Sequence, residues 1–559
     1  MKIQQGLNKG NQLKKFEIGV HPIIQHFIEK LRVSEIIGTY VSSDKRRKID
    51  TENVLCLLIH NYLTSPSPLY EIHDWLQPLD MSALGLSDDE SELIYDERVA
   101  RALDALYASK SKEIFFQLSL RAIKLFDLNC DQTHNDTTSI TFSGKYEAWG
   151  AKERLAHGHN KDHRPDLKQL VLGITVTKDG AVPIDHQIYS GNQTDDQVHI
   201  STHKRLQKLL ARTDFIYVAD SKLATEQNLK KIDHWGGKFV SIMPRTWKYD
   251  EKFKKYVRKN EIKWDLILSR PNSRKPKSQT DHYFLAAGNY STENGYQIYW
   301  IRSTQKENQD AETRARQIHK AFDSLKELQP KINKYNLKTP GAIESKIKSI
   351  LKENKCEKLI GYKINAHREF KSIYGKPGRP SDNTSKVKTW SEIYTISFFQ
   401  NTSEVEEQSK MDGIFPLITN LSSDTHPAKQ VLEIYKFQPF IEKRHSQLKT
   451  YQEVSPVYLK KGDRCVALLH MQVMALMIAS LIERNLRLAM KNKKIKSLPI
   501  YPEGRECKSP TMFDIVRLFK NIERYEVTQS KITAIYPAKL DPIQKEVLKL
   551  LEVPLSNYQ

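Results

Sequence analysis

Cysteine is scarce in this chain of 559 residues, which has only five: Cys56, Cys130, Cys356, Cys465 and Cys507. They are far apart and form no C-x-x-C pair, so the sequence has neither the ligand spacing of a zinc ribbon nor a disulfide framework. Isolated thiols are typical of a protein kept in a reducing compartment. The first residues, Met-Lys-Ile-Gln-Gln-Gly, lack the apolar core of a signal peptide. We therefore expect a cytoplasmic, nucleoid-associated protein.

Long hydrophobic runs are nearly absent as well. One segment, residues 466–482, is apolar enough to raise the question of a membrane span. It is short, it contains His470 and Gln472, and charged residues such as Arg464 and Glu483 flank it. These features predict a buried core helix and not a membrane-spanning one.

Acidic residues are outnumbered by basic ones. The chain has 88 Lys and Arg against 67 Asp and Glu, a formal net charge of +21 that is spread along its whole length. Such an excess indicates a polyanionic partner. Nucleic acid fits better than a membrane surface, because the sequence shows no basic amphipathic anchor and no lipidation motif.

The spacing of apolar residues divides the chain into five expected regions. Residues 1–127 have helical spacing and a Lys-Arg-Arg-Lys run at 45–48, which predicts a helical DNA-binding domain, with a packing or dimerisation module as the alternative. Residues 128–243 predict three strands followed by alternating helices and strands, the order of an RNase H-like core. The other regions are an insertion subdomain (244–412), the second part of the core (413–495) and a C-terminal appendage (496–559). The predicted class is therefore α/β, an RNase H-like core interrupted by a large insertion.

Three acidic residues stand where such a core would bring them together. Asp220 follows the apolar run at 215–219, so its carboxylate is expected at the carboxyl edge of a strand, although a residue there can also cap the next helix. Asp136 is expected at the start of the first strand, and the residues alone do not separate it from Asp131. Glu442 is predicted to lie on a helix. Carboxylates are the ligands that Mg²⁺ prefers, and two ions held by carboxylates promote phosphoryl transfer.

The helix that carries Glu442 lies in the string YKFQPFIEKRHSQLK, residues 435–449. At about 100° per residue, one polar stripe would hold Tyr435, Gln438, Glu442, His445 and Lys449 beside an apolar stripe. An ordinary amphipathic helix has the same pattern. The proline after Gln438 removes a backbone hydrogen bond, so the helix is expected to kink or restart one turn before Glu442.

Tyr435, Glu442 and Lys449 resemble, at matching spacing, the Y-R-E-K signature of bacterial insertion-sequence transposases of the DDE class. The Val-Ala-Asp string that ends at Asp220 and the Asp-Thr-Thr-Ser string that begins at Asp136 resemble the two aspartate motifs of that family. The three motifs occur in the family order, with a long insertion between the second and the third. On this resemblance Asp136 is preferred to its neighbouring competitor.

The resemblance implies a catalytic and metal-binding set of Asp136, Asp220 and Glu442, two Mg²⁺ ions with Mn²⁺ as a substitute, and an enzyme that cleaves DNA at inverted-repeat ends and joins them to target DNA. Its partners would be double-stranded DNA and a second copy of the chain, as a homodimer in the synaptic complex. The block at 158–169 also resembles the family, and the expected DNA contacts are Tyr435, Arg444, Lys449, Lys161, Arg164, Lys168, Arg46 and Arg47. Gln438 stands where arginine is usual, and restoring arginine is expected to leave cleavage intact or to improve it.

Two other functions are compatible with the sequence. A DNA-binding regulator derived from a transposase would have lost a catalytic acid, whereas all three acids are present. A nuclease of the same fold without strand transfer would keep all of them. The large insertion and the basic N-terminal region favour the transposase over the nuclease.

Overall fold

The computed structural model describes residues 11–42, 48–144, 146, 155–158, 164–193, 197–272, 279–374, 386–450, 459, 461–529 and 532–559. The chain divides into two compact units. The first unit contains residues 1–241, 419–421 and 431–559, and the second unit contains residues 242–418 and 422–430. The bounds of the second unit lie close to those expected for the insertion, 244–412.

The N-terminal part of the first unit is mainly helical, as its apolar spacing predicts. It opens, however, on a strand, which the sequence analysis did not predict because its partner strand comes from the far end of the chain. The elements are β1 (Asn11–Glu17), α1 (His21–Leu31), α2 (Val33–Tyr40), α3 (Thr51–Thr64), α4 (Ile72–Leu76), α5 (Asp88–Ser91), α6 (Asp96–Ala108) and α7 (Ser111–Leu125).

A mixed sheet forms the centre of the first unit. Its elements are β2 (Gln132–Phe142), β3 (Lys168–Thr177), β4 (Pro183–Ser190), α8 (Val198–Leu210), β5 (Ile216–Val218), α9 (Glu226–His234) and β6 (Lys238–Ile242). The strand order is β4-β3-β2-β5-β6. Strand β3 pairs antiparallel with both β2 and β4, and β5 lies parallel to both β2 and β6. The protein is thus a mixed α/β structure.

Strand β2 is longer than the sequence predicts. The branched and aromatic run at 139–142 is only its last part, and the strand begins at Gln132. The earlier residues are polar, but they find partners on neighbouring elements: Asn135, for example, donates from Nδ2 to the Ile174 carbonyl and to Thr175 Oγ1. Asp136 therefore lies in the middle of the strand and not at its start, as expected from the sequence.

The second unit contains a row of paired strands, a pair of helices and a long ribbon. Its elements are α10 (Lys248–Lys259), β7 (Trp264–Pro271), β8 (Thr280–Ala286), β9 (Tyr290–Ser291), β10 (Gln297–Ser303), α11 (Thr304–Leu328), α12 (Pro340–Glu353), β11 (Ile360–Tyr374), β12 (Lys386–Gln400), α13 (Thr402–Ser409) and β13 (Ile414–Thr419). Strands β13, β10, β8 and β7 are neighbours in that order, and β9 pairs with β10. Strands β11 and β12 form a separate antiparallel ribbon.

The C-terminal part returns to the first unit. It contains α14 (Ala428–Tyr435), α15 (Gln438–Thr450), α16 (Gly462–Asn492), α17 (Met512–Leu518), β14 (Glu523–Gln529), β15 (Ile532–Tyr536) and α18 (Pro542–Leu551). Strand β14 pairs with both β1 and β15, so residues after 496 complete a sheet with the N-terminus. Helix α16 is long and apolar enough to span a membrane by those criteria, but its most apolar window is wholly buried, as a core helix requires.

Two pairs of buried histidines lie in the core of the first unit. His21 and His60 face each other with 3.2 Å between their Nδ1 atoms. His186 Nε2 lies 2.6 Å from His470 Nδ1, and the other nitrogen of His470 lies 3.2 Å from Ser111 Oγ. Burial lowers the pKa of His21 to about 4 and that of His470 to about 3. All four rings are therefore neutral at pH 7.

We expect these histidines to make the protein acid-sensitive. Their folded pKa values lie below the unfolded value of 6.5, so the unfolded chain binds protons first as the pH falls. The free energy of unfolding should be unaffected by these groups above about pH 6.5 and should fall as the pH decreases from there, down to about pH 4 for His21 and about pH 3 for His470. Each of these two histidines should contribute on the order of a few kcal/mol. Denaturant unfolding from pH 4 to pH 8 measures this loss.

A matched pair of variants tests the assignment. His470→Leu should reduce the dependence of unfolding free energy on pH, because it removes one group that takes up a proton on unfolding. His234→Gln, at an exposed position of α9, should leave the dependence unchanged. Equal pH profiles for His470→Leu and the native chain would contradict the assignment.

Candidate active site

Strand β2 presents a row of polar side chains to helices α14 and α15. Side chains two residues apart point to the same face of a strand, and Gln132, His134 and Asp136 occupy such positions. Gln132 donates from Nε2 to the Ile434 carbonyl at 3.2 Å. His134 Nδ1 lies 2.9 Å from Gln438 Oε1. This row leads along the strand to the carboxylate of Asp136.

The register of β2 and β5 places two of the predicted acids side by side. His134 is the partner of Val218 in this parallel pair. Asp136 and Asp220 each follow two residues later, so they lie at the same level of the sheet, Asp136 within β2 and Asp220 just beyond the end of β5. Adjacent strands are about 4.8 Å apart. Asp220 lies just beyond the end of β5, where Ser241 Oγ donates to its carbonyl at 2.7 Å and its carboxylate accepts from Lys222 N at 3.0 Å.

Helix α15 brings the third acid to this edge of the sheet. Gln438, Glu442 and His445 are spaced four and three residues apart, which puts them on one face of the helix. The first contacts His134, and His445 Nδ1 lies 3.5 Å from Asp136 Oδ2. Glu442 lies between these two contacts and its side chain is exposed. The helix face that carries Glu442 is therefore the face turned toward Asp136.

The pKa of Tyr435 is influenced by all three carboxylates. Burial raises the pKa of its phenol well above the ordinary value. The negative charges of Asp220, Glu442 and Asp136 raise this pKa further. Because electrostatic influence falls with distance, all three carboxylates are within electrostatic range of the same phenol. Tyr435 is the last residue of α14 and remains protonated at neutral pH.

The donor set suits a hard cation. Among the described residues, no three His, Cys, Asp or Glu side chains lie close enough together to hold one ion as a ready-made cluster. Mg²⁺ does not need such a cluster, because it usually binds through one or two carboxylates and keeps several waters. Asp136 and Asp220 on neighbouring strands, with the exposed Glu442 beside them, supply carboxylates of this kind.

The predicted break in the signature helix is present. Helix α14 ends at Tyr435 and α15 begins at Gln438, immediately before Pro439. Tyr435 and Glu442 are thus on consecutive helices, whereas the residue spacing predicted that they share one continuous polar stripe.

Gln438 has a role that the sequence did not show. Its side chain is buried, with 6% of its surface exposed. Its Oε1 atom accepts from His134 Nδ1, and its Nε2 atom donates to the Asn135 carbonyl at 3.0 Å. Gln438 therefore ties the start of α15 to the two residues before Asp136. Arginine has donors but no acceptor, so it cannot reproduce this pair of bonds, and these contacts lead to a prediction opposite to the one that the sequence resemblance gave.

The structure also corrects the expectation for Arg444 as a DNA contact. Its guanidinium is buried and donates to Glu483 Oε2 at 2.8 Å and to the carbonyls of Gly180 and Ala181. Burial alone would raise the pKa of Glu483, but Arg444 and Arg487 hold it below its ordinary value. Arg444 thus neutralises a buried carboxylate between α15 and α16, and it is turned away from solvent.

We expect Arg444→Met to destabilise the fold. The substitution removes the closer of the two arginines that pair with the buried Glu483 and leaves only Arg487, at 3.5 Å. Breaking a buried ion pair costs about 3–5 kcal/mol. Lys443→Met is the matched control, because Lys443 is exposed on the same helix. Denaturant unfolding should show the loss only for Arg444→Met. Equal stabilities for the two variants, with weaker DNA binding by Arg444→Met alone, would restore the phosphate-contact interpretation.

The other predicted DNA contacts have different environments. Lys168 is half-buried on β3 and its Nζ donates to the Tyr146 carbonyl at 2.9 Å. Arg164 is exposed and forms a two-bond pair with Asp166. Lys449 is half-buried in the last turn of α15. Three further predicted contacts lie outside the described residues: Arg46, Arg47 and Lys161.

The competitor Asp131 lies away from this site. It precedes β2, is exposed, and accepts from Arg212 Nη1 at 2.6 Å. Asp136 is five residues farther along, about 17 Å at the rise of an extended strand. His445 was predicted to share the polar stripe of Glu442 but was not among the predicted site residues, and its contact with Asp136 adds it to the site.

Comparisons with known proteins give limited matches. A domain family of unknown function, DUF4277, matches residues 13–120. No curated protein matches the chain. Among solved structures, the chain is similar to a piggyBac transposase in a synaptic complex with hairpin DNA, studied by cryo-electron microscopy. That similarity has 10% sequence identity and a TM-score of 0.40, and it covers 88% of this chain and 79% of the other.

Proposed function

We propose that the chain is a DDE transposase of an insertion sequence, built on an RNase H-like core. One observation carries the proposal: Asp136 in β2 and Asp220 just after β5 lie at the same level of neighbouring parallel strands, and Glu442 lies on the helix face turned toward Asp136. The strand order β4-β3-β2-β5-β6, antiparallel and then parallel, supports the RNase H-like core. In open α/β sheets, ligands bind at this carboxyl edge.

The carboxylates of Asp136, Asp220 and Glu442 would hold two Mg²⁺ ions, or Mn²⁺ as a substitute. Such a pair of ions supplies charge stabilisation to the attacking and leaving oxygens of a phosphodiester. The chain's own residues position the site. His445 faces Asp136, and the protonated Tyr435 offers a hydroxyl donor for a carboxylate or a phosphate oxygen.

The substrate of this proposal is double-stranded DNA, both at the ends of the element and in the target. The net charge of +21 supports a polyanionic partner. Of the predicted cations, Lys449 is on α15, the helix that carries Glu442. A homodimer would hold two ends together, in the cytoplasm of the host cell.

The test uses the whole protein, Mg²⁺, a duplex with the inverted repeats that flank its gene, and a target plasmid. We expect cleaved ends and joint molecules between the duplex and the plasmid. Cleavage without joint molecules would favour an RNase H-like nuclease. Binding without cleavage in Mg²⁺ or Mn²⁺ would favour a catalytically inactive DNA-binding regulator.

A further inference from the structure

The ribbon of β11 and β12 is a feature that the proposed active site does not use. Its two strands pair antiparallel without interruption, from Ile360 opposite Gln400 to Tyr374 opposite Lys386. Among the described residues, no third strand pairs with this ribbon, so its parts differ in what covers them.

The base of the ribbon is part of a hydrophobic core and the distal part is not. Ile360, Tyr394 and Ile396 belong to a buried cluster with apolar residues of α11 and α12. Tyr394 is the last of these, and its partner in register is Ala366. From Arg368 to Tyr374 the ribbon continues for about 20 Å at the rise of a strand. In this distal part the described side chains of Arg368, Phe370, Lys388 and Trp390 are all exposed.

An aromatic pair stiffens the distal part. Phe370 and Trp390 are directly opposite in register, and their ring centroids are 3.4 Å apart. Cross-strand aromatic pairs stabilise a ribbon that lacks a core. Yet 55% of the surface of Phe370 and 60% of that of Trp390 remain exposed. Two adjacent aromatic side chains that remain exposed to solvent are typical of a contact surface.

The charge of the ribbon identifies the kind of partner. Its strands contain five Lys or Arg residues against two Glu. Within the described part of the chain, Lys363, Arg368 and Lys388 form no ion pair, and all three are exposed. Their charge is therefore available to an anionic partner.

We propose that the distal ribbon, residues 366–374 and 386–394, is a docking surface for double-stranded DNA. A two-stranded β-ribbon has the width to enter the major groove. In that position the basic side chains would reach the phosphates, and the rings of Phe370 and Trp390 would lie against sugars and base edges. The inference rests on the proposed function, in which duplex DNA is the partner. It places a DNA-binding surface in the second unit, in a part of the sequence that contains none of the three acids.

The test measures DNA binding without metal, so it does not depend on cleavage. The full chain would be compared with the double variant Arg368→Ala/Lys388→Ala by fluorescence anisotropy, on one duplex and over a range of salt. Loss of two phosphate contacts should weaken binding and reduce the slope of log K against log salt by about 1.8. Lys320→Ala/Lys352→Ala removes the same charge from exposed positions of the second unit and should change neither quantity.

A second variant, Phe370→Ser/Trp390→Ser, should also weaken duplex binding. If this variant disrupts the ribbon itself, the charge variant Arg368→Ala/Lys388→Ala still tests the proposal. Three results would overturn the proposal. The first is an unchanged affinity and salt slope for Arg368→Ala/Lys388→Ala. The second is a larger loss on single-stranded than on double-stranded DNA. The third is dissociation of an oligomer of the free protein with duplex affinity unchanged, which would mark the ribbon as a contact between copies. Failure of cleavage by the native chain would refute the transposase and leave this binding result standing.

Discussion

Glu442→Gln should abolish Mg²⁺-dependent DNA cleavage while the fold and DNA binding stay intact. The amide has the shape of the carboxylate but lacks the charge that holds a hard cation. Loss of several kcal/mol of transition-state stabilisation corresponds to a rate decrease on the order of a thousandfold or more. Since Glu442 is exposed, the substitution leaves no buried group unpaired and thermal unfolding should not change.

The control for this variant is Glu433→Gln, which removes the same charge from an exposed position of α14. It should cleave DNA at the native rate. Titration with Mn²⁺, followed by electron paramagnetic resonance, measures ion binding directly and should show a loss only for Glu442→Gln. Robust cleavage by Glu442→Gln would remove this acid from the site and leave α15 with a structural role.

Gln438→Arg should impair cleavage, the reverse of what the sequence resemblance implies. The side chain of Gln438 supplies one acceptor, Oε1, for His134 Nδ1 and one donor, Nε2, for the Asn135 carbonyl. Arginine supplies no acceptor and adds a charge beside a buried histidine whose pKa burial lowers to about 4. Each buried polar group left without a partner costs about 1–3 kcal/mol. A displacement of about 1 Å at α15 can also slow the reaction on the order of 100-fold.

The measurement pairs stability with catalysis. Gln438→Arg should lower the free energy of unfolding and the cleavage rate at saturating DNA, whereas affinity for DNA should not fall. Gln430→Arg adds the same charge at an exposed position of α14 and should be neutral in all three measurements. Faster cleavage or tighter DNA binding by Gln438→Arg would show that position 438 faces phosphate, as arginine does in the resembling family.

Local patterns were sufficient to predict much of the fold. The apolar runs at 238–242 and 414–419, which predict strands, are strands with those bounds. The helices predicted at 197–210 and 225–235 are α8 and α9, whose ends differ from these by at most one residue. The break before Glu442 followed from the geometry of proline alone. The same patterns did not predict the ribbon of β11 and β12, whose described distal side chains, among them Arg368, Phe370, Lys388 and Trp390, are exposed.

What the sequence by itself determined was the set of chemical groups and their local settings: an acid after a buried strand, an acid on a restarted helix, an apolar core helix and a basic surface. These depend on neighbours in the chain. Only the tertiary structure decided that Arg444 neutralises Glu483, that Gln438 ties α15 to β2, and that β1 pairs with a strand more than 500 residues away. In each case the partner is distant in sequence, and a polar side chain takes its role from whichever group folding places beside it.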